Sequence, residues 1–204
     1  IKKMKKKDFR HNNWGDASSQ IKRMEVFKLT DGYINIDQPK GWLLYKGIYM
    51  GKNAKLEYKF LNNKLIGVEV HFEPNFNAAK EYIEDYLQLS LELHTLHGTP
   101  SIGYTSIPYE WFSDEVEEDY GGDLSDIDEW SKALEKGLLD FQCEWETENT
   151  RITILLGFEK MYVAKNTKPD MLPYMWPDPN KIDYSISFFS LEYWDDYTNS
   201  ISFE

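Results

Sequence analysis

The chain has 204 residues, 41% of them hydrophobic and 16% aromatic, with 35 acidic against 23 basic residues and a formal charge of −12. That apolar content supports a packed core and excludes wholesale disorder. The acidity argues against nucleic acid and anionic membranes as partners and favours a basic one.

Residues 1–13 read as a basic flexible tail, with lysines at 2, 3, 5, 6 and 7. No apolar segment follows these lysines, so they do not open a secretion signal. The chain begins with Ile1, and a segment removed upstream is expected. After Trp14-Gly15, either Asp16 or Ser18 is suited to cap a short helix of about ten residues, with Ile21, Met24, Val26 and Phe27 as its apolar side. Thr30-Asp31-Gly32 reads as the turn that ends it.

A β region follows. Residues 42–50 are apolar on both parities, which predicts a strand covered on both faces. Leu56, Tyr58 and Phe60 alternate with Lys55, Glu57 and Lys59. Asn62-Asn63 is a two-residue turn, because Asn tolerates positive φ. The return strand carries Ile66, Val68, Val70 and Phe72 on one face and Gly67, Glu69 and His71 on the other. Residues 77–97 form the long helix, with Tyr82, Tyr86, Leu89, Leu93 and Leu96 as its stripe, widened by Ile83 and Leu87, and Gly98 and Pro100 as its stop. A strand is expected within 101–112, an acidic loop from Ser113 to Glu129, and a short helix from about Asp126 to Lys136. A second hairpin runs through Leu139, Phe141, Cys143 and Trp145, then Ile152, Ile154 and Leu156. Four prolines between 165 and 181 exclude ladder pairing there, and a last strand holds Ile182, Tyr184, Ile186 and Phe188. The sum is one α+β domain over 14–204: an antiparallel sheet with helices packed on one face, arranged as two helix-plus-meander halves (14–74 and 75–204).

Searches for chemistry come back thin. Cys143 is the lone cysteine, so no intramolecular disulfide forms, and its place in an alternating strand makes it a buried, inert thiol. His94 and His97 share a helix face but need a third ligand such as His71, and no zinc spacing is present. The acidic run Asp114, Glu115, Glu117, Glu118, Asp119, Asp123, Asp126, Asp128 and Glu129 does not fit a calcium loop. Glu144 and Glu146, two apart on a strand, could serve a hydrolase or a small-ligand site. Phosphate-cradling loops and serine elbows are absent from the sequence. No catalytic residue, metal site or cofactor is therefore expected, and no apolar run reaches the roughly 18 residues of a transmembrane segment.

Trp14-Gly15, Leu56-Glu57-Tyr58-Lys59-Phe60, Asn63-Lys64-Leu65, Tyr82-Ile83-Glu84-Asp85-Tyr86 and Trp145-Glu146-Thr147 with Thr150-Arg151-Ile152 resemble a family of uncharacterised small proteins from low-GC bacteria, over most of residues 9–157. The family's usual Tyr-Gly after the long helix is His97-Gly98 here. The resemblance implies a bacterial protein, either cytoplasmic or exported with its signal removed. In plan the chain is similar to the β-lactamase inhibitory protein and to the small lipoprotein of the outer-membrane assembly complex, both of them binding proteins.

Aromatics exceed the evident core slots: Tyr45, Tyr49, Trp111, Tyr174, Trp176, Tyr193 and Trp194 have no obvious place. Of these, Tyr45, Tyr49, Trp111 and Trp176, with Asp114, Glu115, Glu117, Glu118 and Asp119, are the candidate partner-binding residues. The expected function is a non-enzymatic protein-binding module, an inhibitor, immunity or cell-envelope accessory protein. The alternative is a hydrolase or small-ligand protein built on Glu144 and Glu146.

Overall fold

The computed structural model describes residues 8–34, 40–101, 126–135, 139–158 and 182–193. Within them lie helices α1 (Ser18–Met24), α2 (Ala79–His97) and α3 (Ile127–Glu135). The strands are β1 (Lys28–Tyr33), β2 (Lys40–Tyr49), β3 (Lys52–Leu61), β4 (Lys64–Phe72), β5 (Phe141–Glu146), β6 (Thr150–Phe158) and β7 (Ile182–Ser190). They form one antiparallel sheet in the order β1-β2-β3-β4-β7-β6-β5, and the chain is an α+β protein. Contacts divide it into two compact units. One comprises Ile1–Pro74, Glu146–Thr153 and Ile186–Glu204, the other Asn75–Trp145 and Ile154–Ser185.

In the first unit the meander β1–β4 is set by its turns. Asn62 and Asn63 take φ of 50° and 59°, which matches the expected type of turn. Met50 and Gly51 do the same between β2 and β3, at 49° and 76°. Alternation then buries Leu43, Tyr45, Leu56, Tyr58, Phe60, Val68 and Val70 on an inner face. β1 was hidden from the periodicity, which reads Thr30-Asp31-Gly32 as a turn. All six of its residues are exposed, so no alternation marks it. Its register slips by one residue at Thr30, a bulge of the kind that edge strands use. The expectation that β2 is covered on both faces is also corrected: Leu43 and Tyr45 are buried, whereas Trp42 and Leu44 are half-buried and Ile48 is exposed.

Residues 8–13, expected in the tail, are packed. Phe9 is buried, stacks on Tyr49 with centroids 5.9 Å apart and meets Phe188 at 4.9 Å. Neither expected residue caps α1. Ala17 holds the N-cap position, and the missing side-chain oxygen comes from Asn63, which accepts from the Ser18 amide (3.2 Å) and hydroxyl (2.6 Å). Asp16 instead accepts from the Asn13 amide. Of the apolar side expected for α1, Ile21 is buried but Met24 and Val26 are exposed.

In the second unit α2 starts at Ala78, which has no side-chain oxygen. Glu81 reaches back to the Asn77 and Ala78 amides, at 2.8 and 3.1 Å, supplying only the return half of a capping box. The helix ends at Gly98, φ +85°, as expected. Its buried side is Ala79, Ile83, Tyr86, Leu89, Ser90 and Leu93. The expected stripe holds at Ile83, Tyr86, Leu89 and Leu93, whereas Leu87 is half-buried, Leu96 is exposed, and Tyr82 packs edge-on against Phe76. Trp145 of β5 is fully buried and donates its indole N–H to the Gly98 carbonyl at 2.8 Å. Cys143 is buried, as expected, with the Ser90 hydroxyl 3.6 Å from its sulfur. α3 lies where the sequence places it, and Asp126 caps it through the Asp128 and Glu129 amides, at 2.9 and 3.0 Å. Among the described residues no helix is long and apolar enough to cross a membrane.

Candidate functional site

The two faces of β2–β4 use carboxylates and cations in opposite ways. On the inner side the chain leaving α1 brings Glu25 against Tyr58. Its carboxylate is fully buried and accepts from the Val26 and Phe27 amides, at 2.8 and 3.0 Å. It also accepts from the Tyr58 hydroxyl and lies 3.4 Å from the Arg10 guanidinium. Arg10 in turn stacks on the Phe27 ring, 4.1 Å from its centroid. The stack needs Gly47: a Cβ there would meet the Phe27 ring at 2.4 Å. Arg10 has φ +51°, an αL conformation that costs about 1–2 kcal/mol for a residue with a Cβ. Burial, the Glu25 hydrogen bond and its charge push the Tyr58 phenol far above its ordinary range. With no solvent access to its carboxylate, Glu25 ties Arg10, Tyr58 and the chain leaving α1 together.

The outer face is open. Register sets Tyr33 beside Trp42 and Lys59, then Asp31 beside Leu44, Glu57 and Glu69, then Lys28 beside Lys46, Lys55 and His71. Lys59 meets Glu69 at 2.7 Å, and Lys55 and Lys46 both reach Glu73. Burial works against ionising Glu69, but the His71 hydrogen bond and the Lys59 charge outweigh it and hold its pKa down to about 2. Lys55 likewise keeps the Glu73 carboxyl below its usual range. His71 Nε2 lies 3.5 Å from Glu69 Oε2 and 4.0 Å from Glu57 Oε2. Gly67 opens the same face to an aromatic ring, since a Cβ there would meet Phe189 at 2.3 Å.

Beside this face runs β1, the end strand of the sheet. Five large apolar side chains are exposed on or near it: Met24, Val26 (76%), Leu29, Tyr33 and Ile48 (64%). Lys28↔Lys46 pairing puts Ile48 two residues further along β2, next to the chain entering β1. Singly such residues are ordinary, but grouped along one sheet edge they mark a contact surface.

Of the nine candidate residues, two are described. Tyr45 is 2% exposed and packs edge-on against Tyr58 at 5.5 Å, so it is core and no surface anchor. Tyr49 is half-buried between Phe9 and Phe188, and burial raises its phenol to about 12. Trp111, Asp114, Glu115, Glu117, Glu118, Asp119 and Trp176 lie outside the described residues, as do the strand expected in 101–112 beyond Ser101 and the proline-rich segment 165–181. Where the acidic run is described it is engaged: Asp128 pairs with Lys80 at 2.6 Å and Glu129 with Lys132. Glu146 holds Arg151 through two guanidinium nitrogens, at 3.1 and 2.6 Å, and the Glu144 carbonyl accepts from the Ser101 amide.

Sequence reading passes over the exposed edge because a strand wet on both faces leaves no period. It also passes over the Glu57–Glu69–His71 group because the strand register hides it. Glu57 faces Glu69 only because a bulge between Lys59 and Phe60 shifts the pairing by one. The site thus belongs to the class of open sheet surfaces on an α+β scaffold. No protein-family model, curated protein or solved structure matches the chain.

Proposed function

We propose that the chain is a non-enzymatic protein-binding module that engages a protein partner through β1 and the sheet face beside it. The observation that carries this reading is the set of exposed apolar side chains at the sheet's end strand: Tyr33 and Ile48 on the side of the half-buried Trp42 and Leu44, Leu29 on the side of Tyr45, and Val26 just ahead of the strand. An end strand offers backbone groups for strand addition, and flanking apolar side chains supply the area that makes such a contact specific. The bulge at Thr30 and the charges of Lys28 and Asp31 blunt self-pairing, which suits an edge reserved for another partner. The partner expected from the net charge of −12 is basic, with acidity setting the encounter rate and the apolar set the lifetime of the complex. Within this reading the module is an inhibitor, immunity or cell-envelope accessory protein.

The test is capture from a bacterial extract at low and moderate salt, with the chain and with a Val26→Lys, Leu29→Lys double variant. A saturable protein recovered by the first and lost by the second supports the reading. Recovery by both removes β1 from the contact, and no saturable protein at either salt overturns the function.

A further inference from the structure

We propose that Glu57, Glu69 and His71 form a surface site for a zinc-class divalent cation, on the outer face of β3 and β4. The site stands on β3 and β4, on the sheet face that adjoins the β1 edge of the partner-binding reading, and it needs no partner to bind a cation.

Glu57 and Glu69 are direct cross-strand partners, and His71, two residues further along β4, projects to the same side. One ligand atom from each lies within 4.8 Å of the others, and they are the group of this kind among the described residues. Two carboxylates set directly opposite each other repel, and Lys59, 2.7 Å from Glu69, offsets part of that repulsion. A divalent cation held between the carboxylates and the neutral imidazole offsets the rest. Zinc holds nitrogen and oxygen ligands at about 2.0–2.2 Å. The spacings of 3.5 and 4.0 Å from Nε2 to the two carboxylate oxygens then require only small side-chain adjustments.

The oxygens are already divided between tasks. Lys59 takes Glu69 Oε1 at 2.7 Å, which leaves Oε2 turned toward His71. That is the arrangement in which an outer partner orients a ligating carboxylate. One imidazole nitrogen with two carboxylate oxygens suits a borderline cation, whereas calcium and magnesium prefer shells of oxygen alone. The three side chains are each partly exposed, so water can complete the coordination. All three stand on paired strands, which limits the ordering needed on binding.

The experiment is zinc titration of the metal-free chain near neutral pH by calorimetry, with cobalt absorption as a second readout. The chain is compared with His71→Ala, Glu57→Gln and, as a control, His94→Ala. The expected result is one binding event in the parent chain and the control, weakened at least about tenfold in each site variant. Calcium at the same concentration should not displace zinc. Equal binding by His71→Ala, or displacement by calcium, would show an unspecific acidic patch and overturn the site. If a variant does not fold, the His71 ring signals of the parent chain decide by NMR. They should shift first during the zinc titration, and unchanged signals at saturation overturn the site.

Discussion

Successive residues of β2, β3 and β4 point to two surfaces that treat the same chemistry differently. Inside, Glu25 has a guanidinium, a phenol and two amides around one dry carboxylate, and every contact fixes the path of the chain from Arg10 to Phe27. Outside, Glu73 faces two lysines in water, and Glu57 and Glu69 stand half-buried beside Lys59 and His71. Burial decides which role a carboxylate takes. A buried charge with its partners removed costs several kcal/mol, whereas an exposed pair contributes about 1 kcal/mol or less. The inner cluster holds the fold and is unavailable. The exposed pairs at Glu73 add little to stability.

The largest expected effect comes from breaking the inner side. Glu25→Ala strands Arg10 and two amides, and urea unfolding should show a loss of about 3–5 kcal/mol. A loss under about 1 kcal/mol would put Glu25 in the same class as the surface acids. Alkaline pH probes the same side through its phenols. Tyr49 titrates near 12 when folded and near 10 when unfolded. Its stabilising contribution is therefore complete below pH 10. It is lost as pH rises toward 12, because there the unfolded chain binds fewer protons than the folded one. The full effect is roughly 2–3 kcal/mol, and Tyr49→Phe should flatten the decline. An unchanged slope in that variant would count against the burial of this ring.

Asn63 serves both the turn and the start of α1. Asn63→Gly keeps the positive φ and removes the cap, so a loss of about 1 kcal/mol is expected, while Asn62→Gly should change stability by only a few tenths. Equal effects at the two positions would deny Asn63 its second role. Smallest of all, Glu73→Gln on the outer face should shift stability by about 1 kcal/mol or less, read by the same urea titration. A larger loss would mean that the outer ladder is also structural.

Much of the scaffold was legible because each element announces itself locally. Asn62-Asn63, the alternation of Leu56, Tyr58 and Phe60, Gly98 after the long helix, and the strands through Trp145, Ile154 and Tyr184 all carry their own signals. Features that depend on distant partners were not legible. β7 inserts beside β4 across more than a hundred residues, and no local pattern names that neighbour. Phe9 is one apolar residue in a polar stretch, and its core place is set by Tyr49 and Phe188. The centre of the α2 stripe is legible at Ile83, Tyr86, Leu89 and Leu93, but Tyr82 and Leu96 fit the spacing without being buried, while Ala79 and Ser90, small and inconspicuous, are. Tyr45 was read as surplus for a related reason: its slot against Tyr58 exists only once β2 and β3 are paired. As for the candidate site, aromatic surplus pointed to a surface but picked a core residue. The exposed edge and the Glu57–Glu69–His71 group emerge only from strand order and register.

Paired double-mutant cycles for Arg10–Glu25 and Lys55–Glu73, run in one urea titration series, measure the contrast between the two faces most directly. The expected coupling energy is about 2–3 kcal/mol inside and under about 1 kcal/mol outside. Couplings of equal size would contradict it.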